Sequence, residues 1–420
     1  MLVDWWRLVR SPRARPYLLI TLLADGAFIF VFLVAIQSYL PEQHGVSASL
    51  PGYALAVYGG AKLVSQLFAG RLIDRVGRKR GLLCGLSLIL VGQAALIPAA
   101  ATSVAVFPAA AIYGTGAAVL WPAVYALASG SFAAPERARL TSAMMLTTGF
   151  ALATALGLGF VLPASFPYVA AAGLALGVIA VAFVFAAKSG AGDACAVEQT
   201  LSGGTLESVI RDVLRPRRLA FSLIVLLQAV AVGALLAVFR SYGRDFLDVS
   251  LREEALILAP AALVAAGAVA TGGVLGDRFG RGRMLAAGYL VASPSFLVLA
   301  NVTTPGVVVA VAIAAGAGLG LALPSISATS MDLSHTAGQG TLLSWFMALE
   351  GLGHAIGPAL GGYVSGAGDV ESVLRMVGVL FAVMAATAVG LSLALTPRPL
   401  TARPAGESES LLVSPIKDGM

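Results

Sequence analysis

Charged side chains are scarce in this sequence, and their scarcity excludes most soluble folds. Asp, Glu, Lys and Arg make up 11% of the 420 residues, whereas 58% of the residues are hydrophobic. The stretches 81–135, 140–187 and 284–331 contain no charged residue. Each is long enough for two membrane helices, since one span needs about 20 apolar residues. The sequence therefore predicts a polytopic membrane protein.

Cysteine, histidine and nucleotide-binding motifs are scarce as well. The chain has two cysteines, Cys84 in an apolar stretch and Cys195 in a polar one, and three histidines. No disulfide framework and no metal cluster is expected from so few. No lysine follows a glycine, which excludes a Gly-Lys-Ser/Thr phosphate loop and an ATPase activity of the chain's own. We expect a protein that is not an enzyme and that uses no cofactor.

The apolar segments divide into twelve. Residues typical of turns interrupt the three uncharged stretches at 98–103, 163–167 and 301–305, which gives six spans. Single spans fit near 16–39, 51–73, 219–239, 253–275, 341–363 and 376–396. We expect an all-α membrane protein with twelve transmembrane helices.

The distribution of Lys and Arg predicts the orientation. If both termini are cytoplasmic, 22 of the 27 basic residues lie in cytoplasmic segments, as the positive-inside rule requires. The basic pI of about 9.5 is then explained by cytoplasmic loops that lie beside anionic membrane lipids. It gives no indication of a nucleic-acid partner. The predicted location is the inner (plasma) membrane, as a multi-pass and monomeric protein.

An internal repeat divides the chain into halves. Residues 70–80, Gly-Arg-Leu-Ile-Asp-Arg-Val-Gly-Arg-Lys-Arg, return 203 residues later at 273–283 with seven of eleven positions identical. A repeat of six spans makes the two copies parallel, which is the arrangement of major facilitator transporters. The predicted organisation is an N-terminal six-helix bundle at 1–187, a cytoplasmic linker with an amphipathic helix at 188–218, a C-terminal six-helix bundle at 219–396 and a disordered cytoplasmic tail at 397–420.

The repeated segment resembles the signature cytoplasmic loop of the major facilitator superfamily. That resemblance implies two bundles that rock about a midplane cavity, with the loop acting as a cytoplasmic gate. Asp74 can sit against a helix N-terminus, and Arg78 can pair with a carboxylate such as Glu136. The expected gate residues are Gly70, Asp74, Arg75, Gly77, Arg78, Lys79, Glu136, Asp277, Arg278, Gly280 and Arg281.

Span eleven carries a second motif. Its small residues would let helix backbones approach closely. The motif resembles the glycine-proline pattern of drug and proton antiporters in the same superfamily, where it stands in span five, and the whole chain is closest in pattern to bacterial drug and metabolite efflux members. The expected packing residues are Gly353, Gly357, Pro358, Gly361 and Gly362.

Four ionisable residues fall inside predicted spans, where a charge costs several kcal/mol unless it is paired or hydrated. Asp25, Lys62 and Glu350 lie at similar midplane depth, and His354 stands one turn from Glu350 on the same helix face. We expect an ion pair between Asp25 and Lys62 on adjacent helices. These groups either hold helices together or bind the coupling proton.

Three further residues are candidates for the substrate site. The repeat places Gln228 opposite Asp25, whereas Lys62 corresponds to Ala265, so the site lacks the paired cations of an anion pocket. Trp121 and Tyr125 share a face of span four at i,i+4 and can stack on an apolar solute or simply pack. An amphipathic neutral or cationic organic solute is the expected substrate.

The leading interpretation is a secondary active transporter that works by alternating access, most simply as a proton-coupled exporter of small organic compounds. One alternative is a metabolite importer or facilitator of the same fold. Another is a transporter-like sensor that binds a ligand without turnover.

Overall fold

The computed structural model describes residues 10–40, 45–47, 49–96, 103–132, 134–161, 166–186, 211, 214–334 and 339–395. These residues form long α-helices joined by short connections. Most of the predicted amphipathic linker helix, the tail after Pro397 and Cys195 lie outside this part of the chain.

Six α-helices of the described residues share one buried apolar core, and we call them the N-terminal bundle. They are α1 (Arg15–Ile29), α2 (Leu50–Val76), α3 (Arg78–Ala95), α4 (Val106–Ser131), α5 (Ala134–Val161) and α6 (Phe166–Ala186). A π-helix, Phe30–Tyr39, continues α1 to the side of the protein opposite the 70–80 motif. We call that side the outer side.

Six further helices form the C-terminal bundle. They are α7 (Pro216–Ser241), α8 (Leu251–Phe279), α9 (Arg281–Leu299), α10 (Pro305–Ser334), α11 (Gln339–Gly366) and α12 (Val370–Leu395). A short π-helix, Tyr242–Phe246, continues α7 at the outer side as the first π-helix continues α1.

Local sequence explains several helix starts. Helices α1, α2 and α7 have a proline in the first turn, where its missing N–H would have no helical partner. Helix α8 starts with a capping box, in which the Ser250 hydroxyl accepts from the Glu253 N–H and the Glu253 carboxylate accepts from the Ser250 N–H at 2.8 Å.

The buried apolar side chains form two clusters, one for each half of the chain. One cluster of buried apolar side chains comes from α1–α6 and includes Ala237 of α7, and a second comes from α7–α12. Large apolar side chains also point outward, among them Leu67, Phe68 and Leu263, which are 62%, 59% and 74% exposed. Exposed apolar surface of this extent suits a lipid environment.

Seven helices of the described residues are long and apolar enough to cross a membrane. They contain the segments Arg15–Gln37, Val106–Ala128, Pro216–Phe246, Arg252–Gly273, Arg281–Leu299, Pro305–Ser330 and Val370–Ser392. The expected number of twelve spans stays a prediction.

The sequence repeat is also a repeat of contacts. The backbone of Gly114 in α4 lies against Tyr58 of α2, and Gly316 in α10 lies in the same way against Ala261 of α8. Because a Cβ would collide with backbone at these glycines, the small residue is needed for the close approach. Gly85 with Gly116 and Gly288 with Gly318 repeat the pattern between α3 and α4 and between α9 and α10.

The halves meet mainly through two helix pairs, α2 with α11 and α5 with α8. Within the N-terminal bundle, α1 packs on α5 and α6, whereas α2 packs on α4. This arrangement decides which side chains meet near the middle of the structure.

Candidate functional site

A partly buried ion pair joins the two halves. Lys62 Nζ of α2 lies 2.9 Å from Glu350 Oε1 of α11. The residues are 288 positions apart in sequence, so the contact exists only because the bundles pack together. Opposite charges in a region of low dielectric attract strongly, and each offsets the desolvation of the other.

Two glycines bring the helices close enough for this contact. Gly59, about one turn before Lys62, lies against the backbone of His354, and Gly351 lies against the backbone of Leu63. A Cβ on Gly59 would overlap the His354 carbonyl. The pair therefore sits where α2 and α11 touch backbone to backbone.

The two partners differ in accessibility. The Lys62 side chain is 9% exposed, whereas that of Glu350 is 43% exposed. Glu350 nevertheless lies in the middle of α11 and contacts the N-terminal bundle by its ion pair with Lys62. Its exposed part leaves the carboxylate accessible to a proton or a solute.

His354 is the nearest titratable neighbour on the same helix. Its Nδ1 lies 3.8 Å from Glu350 Oε1, which is too long for a hydrogen bond. A protonated imidazole at this distance would still attract the carboxylate, so His354 can change the charge balance at Glu350 without holding it in place.

Asp25 does not make the ion pair expected with Lys62. Instead, its Oδ2 accepts a hydrogen bond of 2.5 Å from the Thr148 hydroxyl of α5, and Lys62 binds Glu350. The physical reason is the packing, because α1 lies on α5 and α2 lies on α11. Helices α1 and α2 are consecutive in sequence but do not pack along each other.

Two aromatic residues of α4 border the charged cluster. Tyr125 lies close enough to Asp25, Lys62 and Glu350 to interact with all three charges through space. Trp121 lies next to it, with ring centroids 6.3 Å apart and planes inclined by 36°. Both side chains are partly exposed and also pack against the apolar core of the N-terminal bundle.

Gln228 lies away from the cluster, inside the C-terminal bundle. Its Oε1 accepts a hydrogen bond of 2.8 Å from the Tyr289 hydroxyl of α9, and the side chain is buried. This contact ties α7 to α9 in the way that Asp25 and Thr148 tie α1 to α5.

The glycine-proline motif of α11 packs in two directions. Gly353, Gly357 and Gly361 lie against the backbone or small side chains of α7, and Gly233 of α7 receives Pro358. The neighbouring Gly362 instead meets Gly52 of α2. One helix surface thus holds α7 within its own bundle and α2 across the interface.

The loop motifs end α2 and α8 alike. Gly77 and Gly280 have φ of 89° and 94°, a conformation that favours glycine. The next residues repeat a contact: Arg78 Nη1 donates to the Ala126 carbonyl at 3.0 Å, and Arg281 Nη1 donates to the Ala328 carbonyl at 2.8 Å. Each arginine therefore braces two helices of its own bundle.

The other gate residues are only partly described. Arg75 and Arg278 are exposed, Lys79 is partly exposed, and a Cβ on Gly70 would meet open space. The side chains of Asp74, Asp277 and Glu136 lie outside the described residues, so the expected contact of Arg78 with Glu136 stays a prediction.

Sequence reasoning missed Thr148, because a hydroxyl in an uncharged stretch gives no signal of its own. It also missed Gln37, although an amide close to the repeated Ser-Tyr pairs at 38–39 and 241–242 was a usable signal. Gln37 is 3% exposed and contacts α7, as described below.

A duplicated all-helical protein with a partly buried ion pair between its halves has the architecture of a secondary membrane transporter. The family model of the Major Facilitator Superfamily matches residues 18–274 and 256–418. The chain belongs to the major facilitator superfamily. The expected family is therefore confirmed. The chain is a multi-pass membrane protein of a family of transporters, and members of that family are not enzymes.

One relative and several solved structures are similar over most of the chain. "Multidrug resistance protein 2" of Bacillus subtilis (strain 168) is 29% identical over 358 residues, covering 80% of this chain and 85% of that protein. The nucleoside transporter NupG has a TM-score of 0.69 at 14% identity, with 91% and 99% of the two chains covered. The transporter FucP in the outward conformation has a TM-score of 0.67 at 17% identity, with the same coverage. At these identities the structures show the fold alone.

Proposed function

We propose that this protein is a proton-coupled secondary transporter that exports small amphipathic organic solutes, neutral or cationic, across the inner membrane by alternating access. It acts as a monomer with twelve spans and with both termini in the cytoplasm. Residues 1–187 and 219–396 are the two moving bundles, 188–218 is the linker and 397–420 is the tail.

The observation that carries this proposal is the ion pair of Lys62 with Glu350. The pair connects the two halves, its ammonium group is buried, and its carboxylate is about half-exposed. A protonable group that also bridges the moving parts can link the proton's binding to their movement.

The coupling step follows from charge balance. A proton that adds to Glu350 gives a neutral carboxyl group and removes the negative charge that holds Lys62. Lys62 keeps its positive charge and remains within electrostatic range of Asp25. The contact between α2 and α11 weakens, the bundles reorient, and the proton leaves on the opposite side.

The substrate class rests on the surroundings of the pair. Trp121 and Tyr125 provide aromatic faces beside the carboxylates, which suits apolar groups and attracts organic cations. The similar Bacillus subtilis protein is named for multidrug resistance, and that name favours export of organic compounds over import of a metabolite.

The test is transport of ethidium, a lipophilic organic cation, into everted membrane vesicles energised by respiration. The wild-type protein should accumulate the dye, whereas Glu350→Gln and Asp25→Asn should lose gradient-driven accumulation when compared at equal amounts of folded protein in the vesicles. Asp248→Asn is the matched control, because this exposed carboxylate has φ of 54°, which asparagine tolerates.

Each other outcome has a defined meaning. Unchanged accumulation by Glu350→Gln would remove that residue from coupling. Uptake only in right-side-out vesicles would indicate an importer. Ethidium binding without flux in proteoliposomes would indicate a sensor.

The loop motif is proposed to act as the cytoplasmic latch. Asp74 and its repeat Asp277 stand beside glycine and arginine at the ends of α2 and α8, and a carboxylate there can bind the N-terminus of a facing helix. Arg78 and Arg281 support the idea indirectly, because their braces keep each loop in a fixed position on its bundle.

A further inference from the structure

Gln37 connects the two bundles at the outer side. It lies in the π-helix that continues α1, a conformation that often marks functional positions in helices. The residue is 3% exposed, and its repeat mate, 203 positions later, is Arg240 of α7. The two equivalent positions of the repeat thus lie against each other.

The contacts of Gln37 form a specific pattern. Its side-chain N–H donates to the Leu236 carbonyl, and its side-chain oxygen accepts from the Arg240 backbone N–H at 3.3 Å. Both residues lie inside α7, where the N–H of residue 240 and the carbonyl of residue 236 are the partners of one helical hydrogen bond. One carboxamide therefore binds both members of a single helical hydrogen bond, because it offers a donor and an acceptor as a peptide group does.

The receiving turn of α7 is firmly anchored to its own bundle. Arg240 Nη1 lies 3.1 Å from Glu254 Oε2 of α8, and the two side chains are 7% and 1% exposed. The same nitrogen donates to the Val249 carbonyl at 3.2 Å. The Ser365 hydroxyl of α11 donates to Ser241 at 2.9 Å. A contact with this turn is a contact with the whole C-terminal bundle.

Separation at this point leaves no buried polar group of α7 without a partner. When Gln37 moves away, the Arg240 N–H and the Leu236 carbonyl still have each other as helical partners within α7, and the freed amide of Gln37 meets water. The cost of breaking the two bonds is therefore small compared with that of stranding buried groups. The contact can be made and broken in each transport cycle.

We propose that Gln37 is the latch of the outer gate, a positioning residue that stabilises the outer-closed state by inserting its carboxamide into the helical turn of Leu236 and Arg240. This inference rests on the proposed alternating access. It concerns the equilibrium between outer-open and outer-closed protein and needs no assumption about the coupling ion or the substrate.

The test measures distances between spin labels in purified protein without substrate. Cys84→Ser and Cys195→Ser provide the background. Ser47→Cys with Thr303→Cys reports on the outer side, because both positions are exposed in outer connections of different bundles. Arg80→Cys with Arg283→Cys, at equivalent exposed positions of the repeat, reports on the cytoplasmic side.

Gln37→Leu should raise the ratio of outer-open to outer-closed protein about 5- to 30-fold, as expected for losing two hydrogen bonds. The cytoplasmic pair should shift in the opposite sense. Gln93→Leu is the matched control, since Gln93 is an equally buried amide inside the N-terminal bundle. It should leave both distance distributions unchanged.

Gln37→Asn provides a second variant if the leucine protein does not fold. It keeps the amide but is too short to reach both groups of the turn, so it should open the outer side as well. Unchanged outer distances in whichever variant folds would overturn the latch, as would an equal shift in Gln93→Leu. Loss of ethidium transport with unchanged distances would contradict the latch and leave the proposed function intact.

Discussion

The ion pair between α2 and α11 should respond asymmetrically to the loss of either partner. Lys62 is 9% exposed and Glu350 is 43% exposed. Glu350→Gln strands a desolvated ammonium group, so we expect the cost of breaking a buried pair, about 3–5 kcal/mol. Lys62→Met strands a carboxylate that remains half in contact with water, so we expect about 1–2 kcal/mol after allowing for solvent screening.

Thermal unfolding in detergent, followed by intrinsic fluorescence, measures the difference. At about 2–4 °C per kcal/mol for a unit of 150–250 residues, Glu350→Gln should lower Tm by roughly 6–20 °C and Lys62→Met by roughly 2–8 °C. The double variant should be more stable than Glu350→Gln alone, because it leaves no unpaired charge. The reasoning is refuted if Lys62→Met is the more damaging change, or if the double variant loses as much as both single variants together.

Three other predictions follow from the packing and the helix ends. Gly357→Val should lower the free energy of unfolding by about 1–3 kcal/mol because its Cβ would overlap the Val230 carbonyl. Gly390→Ala, where the Cβ meets open space, should raise it by about 0.5–1 kcal/mol. Equal Tm values for the two variants would contradict the packing argument. Asp74→Asn should shorten the outer-open lifetime and widen the distance between the cytoplasmic labels, since a carboxylate at a helix N-terminus contributes about 0.3–2 kcal/mol. Asp277→Asn should have a smaller effect. An unchanged cytoplasmic distance in Asp74→Asn would contradict the cytoplasmic latch. The Asp369 carboxylate accepts hydrogen bonds from the Ser372 hydroxyl and from the Ser372 N–H, and these bonds lower the pKa of the Asp369 carboxyl. Its contribution to stability is therefore present above the ordinary carboxyl pKa and lost as the pH falls through the lowered folded value. The Tm difference between wild type and Asp369→Ala should narrow on acidification, and a constant difference would contradict this.

Much of the fold could be predicted because membrane helices leave a strong pattern. Uncharged stretches, turn residues and a repeat of seven identities in eleven positions indicate the helices, their pairing into halves and the family. The repeat extends to atomic contacts, since Arg78 and Arg281 bind equivalent carbonyls in equivalent helices.

The pairing within the site could not be predicted in the same way. Depth along a helix follows from residue number, so the sequence predicts Asp25, Lys62 and Glu350 at one level, and that common depth stays a prediction. Which of them touch depends on helix neighbours, and α2 packs on α11 rather than along α1. The expected pair of Asp25 with Lys62 was therefore wrong, and Thr148 took the place of the ammonium group beside Asp25.

The outer contact shows a second limit of sequence reasoning. Gln37 binds backbone groups of Leu236 and Arg240, and backbone groups are the same at every position. No pattern of side chains in α7 identifies the turn that receives the amide. Only the three-dimensional packing at the repeat axis reveals it.

The central claim is that Glu350 links proton binding to movement of the bundles. The most direct measurement compares two modes of ethidium transport by Glu350→Gln in proteoliposomes. Exchange of labelled for unlabelled dye at equal pH needs movement without net proton transfer, and accumulation driven by a pH gradient needs both. We expect the variant to retain exchange and lose accumulation, while wild type performs both. Accumulation at the wild-type rate by Glu350→Gln would contradict it.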